Sequence, residues 1–210
     1  AALDFLTDAI EKKRYETALL HGVTGSGKTE VFLQAVQTCV SMGRNAIILV
    51  PEIALTPQMT ERFYQRFGQG IAVLHSGLSL GERYDEWRRI HRGEVHVVVG
   101  ARSAVFAPFE NIGLIVVDEE HESTYKSETS PKYHAVEVAD YRAKQNSAVL
   151  LLASATPSVE SYYRAMQGKY RLLELKKRVN NRPLPQVEIV DMAKELAEGN
   201  KSVFSRRLLY

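Results

Sequence analysis

The sequence predicts an α/β fold, a mostly parallel sheet with helices on both faces, and three observations carry that prediction. Short apolar runs recur along the chain without polar alternation, as in strands buried on both sides. Stretches of helical spacing separate them, and two hydrophobic segments end abruptly in polar, ligand-binding residue types.

The apolar runs fall at residues 18–20, 46–50, 71–74, 95–99, 114–117 and 149–152, each β-branched or leucine-rich. Between them, residues 31–40, 57–67 and 82–90 carry apolar positions at helical intervals. A right-handed strand–helix–strand winding follows as the default connection. A last strand-like run at 170–175 precedes Arg182-Pro183-Leu184-Pro185, where two close prolines read as an extended linker. Residues 187–190 have the character of one further strand. The expected division is a nucleotide-binding lobe over 1–182, followed by a linker and the start of a second lobe over 183–210.

Composition narrows the classes. With 210 residues, 45% hydrophobic and 25% charged, the chain suits one domain with a sizeable core and an appended piece. The net charge of +2 neither demands nor forbids a nucleic-acid partner. The single cysteine, Cys39, excludes an internal disulfide or a cysteine-built zinc site, and its place in a helical pattern suits a buried small hydrophobe. There is no run of 18 apolar residues and no charged-then-apolar leader, so no membrane partner and a cytoplasmic location are expected. Both ends read as cut from a longer polypeptide.

Gly22-Val23-Thr24-Gly25-Ser26-Gly27-Lys28-Thr29 matches G-x-x-x-x-G-K-[ST] in full, between an apolar run and a helical pattern. Glycines let the backbone curl so that consecutive N–H groups face one concavity, and the helix N-terminus adds partial positive charge. Lys28 suits the β- and γ-phosphates of ATP, and the Thr29 hydroxyl suits a magnesium ion. Residues 114–117 run into Asp118-Glu119-Glu120-His121. Ligands bind beyond the carboxyl ends of strands in such sheets. There Asp118 could hold Mg2+, directly or through water, and Glu119 could polarise the attacking water. The lysine is expected to face this carboxylate pair across adjacent strand tips. His121 could relay the state of the γ-phosphate or satisfy a local carbonyl. In Ser154-Ala155-Thr156-Pro157, Ser154 and Thr156 could bridge the carboxylates to mobile loops, or cap a turn.

Those three elements, in that order, resemble the superfamily 2 helicases, whose ATP-binding unit is a RecA-like P-loop lobe. Residues 50–58, His75-Ser76-Gly77 and 100–109, with the Lys28-Thr29-Glu30-Val31-Phe32 continuation, narrow the resemblance to the primosomal protein N′ (PriA) helicases. The similarity covers roughly residues 1–190. It implies the first lobe of a bacterial ATP-dependent 3′–5′ DNA helicase that restarts stalled replication forks. Single-stranded and forked DNA would be its substrates, with primosome and single-stranded-DNA-binding proteins as partners. It further implies a strand-contacting motif at Pro51, Glu52, Thr56 and Gln58, a second at Arg102 and Ser103, and a strand-sensing loop over 123–134. Zinc would belong to a cysteine-rich region outside this chain, and an arginine from a second lobe would complete catalysis, leaving the isolated lobe with little ATPase activity. The loop contains no Trp, and its aromatic residues are Tyr125 and Tyr133. These could stack on bases or be packing residues. The arginine-rich run 83–92 reads as a solvated helix face. An RNA helicase, a double-stranded DNA translocase, and a docking platform without activity are the alternatives.

Overall fold

The computed structural model describes residues 1–179 and 186–209. Seven strands, β1 (Glu16–Gly22), β2 (Asn45–Leu49), β3 (Ile71–Leu74), β4 (Val97–Gly100), β5 (Ile112–Asp118), β6 (Val149–Ser154) and β7 (Arg171–Leu175), form one sheet in the order β3-β4-β2-β5-β6-β1-β7. Every pairing is parallel. The helices are α1 (Ala2–Glu11), α2 (Lys28–Ser41), α3 (Pro57–Phe67), α4 (Leu80–His91), α5 (Ala135–Gln145), α6 (Val159–Met166) and α7 (Met192–Ala197).

Alternate residues of each strand feed two separate cores. Ala18, Leu20, Ile48, Leu114, Val116 and Leu151 pack with Leu6, Phe32, Val36 and Phe63 of α1, α2 and α3. Leu19, Ile47, Ile115, Val117, Leu150 and Leu152 pack with Ile90 of α4, Ala139 of α5 and Ala165 of α6. This explains the unbroken apolar runs: with helices on both faces, both sides of a strand leave water. Each fully buried Leu or Ile there contributes about 1.5–3 kcal/mol. β1, β5 and β6 overrun their apolar runs by one or two residues at an end, where backbone pairing continues past the hydrophobic pattern; β3 coincides with its run, β2 is shifted one residue earlier, and β4 starts two residues later and ends one later.

Cys39 is fully buried in the first core, and burial pushes its thiol up to about 12. Arg44, nearly covered, donates to the carbonyls of Ile112 (2.5 Å), Asn146 (2.7 Å) and Ser147 (3.3 Å), pinning the amino-terminal edge of the sheet.

Two compact units result, one ending at Val179 and one starting at residue 180. In the second, Asp191 caps α7, accepting from the Ala193 and Lys194 amides at 2.9 and 3.2 Å. The strand expected at 187–190 does not form. Val187 and Ile189 are 85% and 93% exposed, so their alternation finds no sheet to join. The linker expected at 182–185 lies outside the described residues.

Candidate nucleotide site and strand cleft

The phosphate loop leaves β1 at Gly22 and enters α2 at Lys28. Gly27, the N-cap, sits at φ 90°, a left-handed conformation that a side chain would strain. Gly22 is required by space instead: a Cβ there would lie 2.5 Å from Ser26 Oγ and 2.9 Å from Leu175 Cβ on the neighbouring strand. Lys28 is buried and donates from Nζ to Gly22 O at 2.8 Å, folded back across its own loop. The Ser26 hydroxyl is buried without a hydrogen-bond partner. An unpaired buried hydroxyl next to a helix N-terminus suits an anionic ligand that would satisfy it.

Asp118 and Glu119 stand at the end of β5. Burial pushes the Asp118 carboxyl up to about 6, the charge of Glu119 adds to the rise, and the Glu119 amide and Lys28 oppose it. Glu119 has φ 45°, left-handed for a non-glycine residue, held there while its amide donates to Asp118 Oδ1 at 3.1 Å. Such backbone costs of order 1 kcal/mol and concentrates at functional positions. Thr24, Gly25, Ser26, Gly27, Lys28, Thr29, Asp118 and Glu119 line one cleft of about 610 Å³, together with Arg62 from α3 and Val179. The strand tips are not adjacent, which corrects the sequence expectation: β6 runs between β1 and β5, pairing His21 with Ser154 and Asp118 with Ala153. Two strand spacings, about 10 Å, therefore separate the tips of β1 and β5, while the Lys28 charge still acts on Asp118.

Behind the cleft, His121 Nδ1 lies 2.8 Å from Ser154 Oγ, and the Thr156 amide donates to the same hydroxyl at 3.0 Å. The Ser154 bond thus runs to the histidine, not to a carboxylate as the sequence suggested, and the Thr156 side chain is exposed. The carboxylate that does bridge is Glu120. Buried at 5% exposure, it accepts from the Ser158 amide (2.7 Å), Ser158 Oγ (3.1 Å) and Ser161 Oγ (2.9 Å), tying the end of β5 to the first turn of α6.

A second cleft, about 830 Å³, opens at the carboxyl ends of β2, β3 and β4. Glu52, Ser76, Arg83, Arg102, Ser103 and Lys126 line it. The Ser76 amide donates to Glu52 Oε1 at 3.1 Å, and the Ser76 hydroxyl foremost, together with the amide, holds that carboxyl below its ordinary value. Arg102 donates to the carbonyls of Thr124 (3.2 Å) and Lys126 (2.5 Å), so it clamps the 123–134 loop to this wall. Of the other expected strand contacts, Thr56 is the N-cap of α3, its hydroxyl accepting from the Met59 amide at 3.2 Å. Gln58 is exposed and Pro51 is buried.

The tyrosines divide. Tyr125 is 1% exposed and donates to Asp118 O at 2.6 Å, so it packs behind the carboxylates and offers no ring face to a base. Tyr133 is half-buried, with Phe106 edge-on at 4.9 Å and the Arg102 guanidinium 5.7 Å from its centroid. Sequence reasoning missed Arg62, Glu120 and Val179. Arg62 follows the α3 pattern at a surface position, and no local signal marks it.

Comparison with known proteins places this geometry. The family model "DEAD/DEAH box helicase" matches residues 6–165. The replication restart protein PriA of Bacillus subtilis is 57% identical over 209 residues, all of this chain and 26% of that protein. The PriA of Synechocystis is 52% identical over 199 residues, 92% of this chain and 24% of that protein. The chain thus spans about a quarter of the length of these curated relatives. Among solved structures, RecG bound to a three-way DNA junction superposes with a TM-score of 0.64 at 22% identity, over 94% of this chain and 26% of RecG. The Pyrococcus furiosus Hef helicase domain gives 0.58 at 20% identity, over 84% of this chain and 38% of that one. These matches establish a RecA-like α/β lobe. Among the described residues, no helix is long and apolar enough to cross a membrane.

Proposed function

The chain belongs to the DEAD/DEAH box helicase family, and from that premise we propose that it is the ATP-binding lobe of a bacterial, cytoplasmic DNA helicase that acts in replication restart. The observation that carries the reading is the single cleft shared by the Lys28 loop and the Asp118–Glu119 pair. The loop amides and Lys28 bind the triphosphate of ATP, the lysine leaving Gly22 O for the phosphate oxygens. Thr29 Oγ and Asp118 would hold Mg2+. Bound there, the ion neutralises charge that develops on the phosphate oxygens. Glu119 orients and deprotonates the attacking water. The hydrogen bond between His121 and Ser154, with the Glu120 anchor on α6, would carry the state of this site to the rest of the lobe.

The second cleft is read as the path of a DNA strand, with Arg102 and Ser103 facing phosphates and Glu52 supporting the Ser76 amide. The 57% identity to a replication restart protein supports this substrate over RNA. Primosome components and single-stranded-DNA-binding proteins are the partners that resemblance implies. Residues 180–210 are read as the passage toward a second lobe. That lobe would supply an arginine worth about 10³–10⁵ in rate, so this chain alone should bind nucleotide weakly and turn it over slowly.

ATPase of the intact protein, measured with single-stranded DNA, RNA and forked DNA for the natural sequence and Lys28→Ala, tests the reading. Stimulation by DNA that Lys28→Ala abolishes is expected. Undiminished ATPase in Lys28→Ala, or stimulation by RNA alone, would overturn it.

A further inference from the structure

The outer face of α4 does not look like the solvated helix its charges suggest. Leu80, Tyr84, Trp87 and His91 recur at helical spacing on one stripe. The first three are 84%, 59% and 45% exposed. The helix touches the core chiefly through Ile90. The stripe is already ordered for stacking: the Trp87 and His91 rings lie 5.1 Å apart at 15°, and the Arg88 guanidinium sits 5.7 Å from the Tyr84 centroid. Two of its three acidic neighbours are committed elsewhere, and the third, Asp85, is exposed on the Arg88 side of the stripe. Glu82 accepts from the Ser79 amide at 2.9 Å in the helix cap, and Glu86 pairs with Arg89 at 2.8 Å. Cations remain on the flanks, Arg88 on one side and Arg83 on the other. Arg83 also lines the proposed strand cleft beside Ser76 and Arg102, so the stripe continues from that cleft.

We propose that this face of α4 is a stacking platform for single-stranded nucleic acid, taking unpaired bases on Trp87 and Tyr84 and phosphates on Arg83 and Arg88. The inference rests on the reading of the second cleft as a strand path and extends that path over the helix. Exposed aromatic faces between arginines match a ligand with both π-faces and negative charge. A duplex hides its base faces, and a purely acidic peptide would leave the rings unused. The twelve residues of α4 run about 18 Å, room for a few extended nucleotides.

Trp87 is the only tryptophan in the chain, so its emission reports on this face alone. The chain is titrated at low salt with a labelled 20-nucleotide oligo-dT, following Trp emission and, separately, the anisotropy of the label. Single strands should quench Trp87, while a 20-base-pair duplex and polyglutamate should not. Trp87→Ala and Tyr84→Ala should each weaken binding about five- to a hundred-fold by anisotropy, and Trp87→Phe should recover most of the loss. Matching circular dichroism and urea midpoints would show that the variants fold. Binding by anisotropy with unchanged emission and no effect of either alanine overturns the platform but leaves the cleft reading intact. No association at all removes both. Quenching by duplex or polyglutamate, or a concentration-dependent emission change without DNA, assigns the face to another occupant and also overturns the proposal.

Discussion

Replacing Asp118 with asparagine should stabilise the metal-free chain while destroying its response to Mg–ATP. The ordinary carboxyl value is 3.8, and burial beside Glu119 raises Asp118 to about 6. At about 1.4 kcal/mol per unit, keeping this group ionised in the fold costs about 3 kcal/mol above pH 6. Water reaching a half-buried group reduces the effect, so a gain of about 1–2 kcal/mol is expected for Asp118→Asn at pH 7.5. Asparagine keeps the acceptor used by the Glu119 amide. The sign with pH follows from the raised value. Between about pH 4 and 6 the folded state binds more protons than the unfolded one, so stability falls as pH rises through that window. The variant's advantage should therefore be full at pH 7.5, partial at pH 5 and gone below pH 4. Urea unfolding without metal, at those three pH values, measures it. A destabilised Asp118→Asn at pH 7.5, or an advantage that does not shrink on acidification, would refute the electrostatic reasoning.

Gly22→Ala should cost about 1–3 kcal/mol and abolish nucleotide binding, because its methyl would sit 2.5 Å from Ser26 Oγ and 2.9 Å from Leu175; urea midpoints and fluorescent-nucleotide titration check both parts. Glu120→Gln keeps the shape but loses charge-assisted bonds to three serine donors, so a loss of about 1–2 kcal/mol is expected by thermal or urea unfolding. Cys39, buried and pushed up to about 12, should resist a thiol reagent at pH 8 in the folded chain and react fully in denaturant.

How much of this could be seen in the sequence depends on how local each feature is. The strand-to-helix loop was legible because its glycines, lysine and threonine sit within eight residues, and Gly22, Gly25 and Gly27 answer to space or to positive φ. The doubly covered sheet was legible because burial on both faces leaves unbroken apolar runs. Strand order was not, since nothing in residues 112–118 says that β6 intervenes before β1. Hence the expectation of adjacent tips. Glu120 read as one more charge in an acidic stretch; its partners Ser158 and Ser161 lie some forty residues on and meet it only when β5 and β6 pair. The same limit governs the aromatics. Counting tyrosines in residues 123–134 could not show that Tyr125 turns inward to Asp118 O, and the charges of α4 masked the stripe that Trp87 and Tyr84 present to solvent.

In the proposed mechanism, one cleft grips a metal–triphosphate between the 22–29 loop and the tip of β5. A crystal grown with Mg2+ and a non-hydrolysable ATP analogue tests it most directly. Phosphates should lie over the loop amides with Lys28 turned away from Gly22 O, and the metal should bridge Thr29 Oγ to Asp118. Phosphates bound elsewhere, or a metal that ignores Asp118, would contradict it.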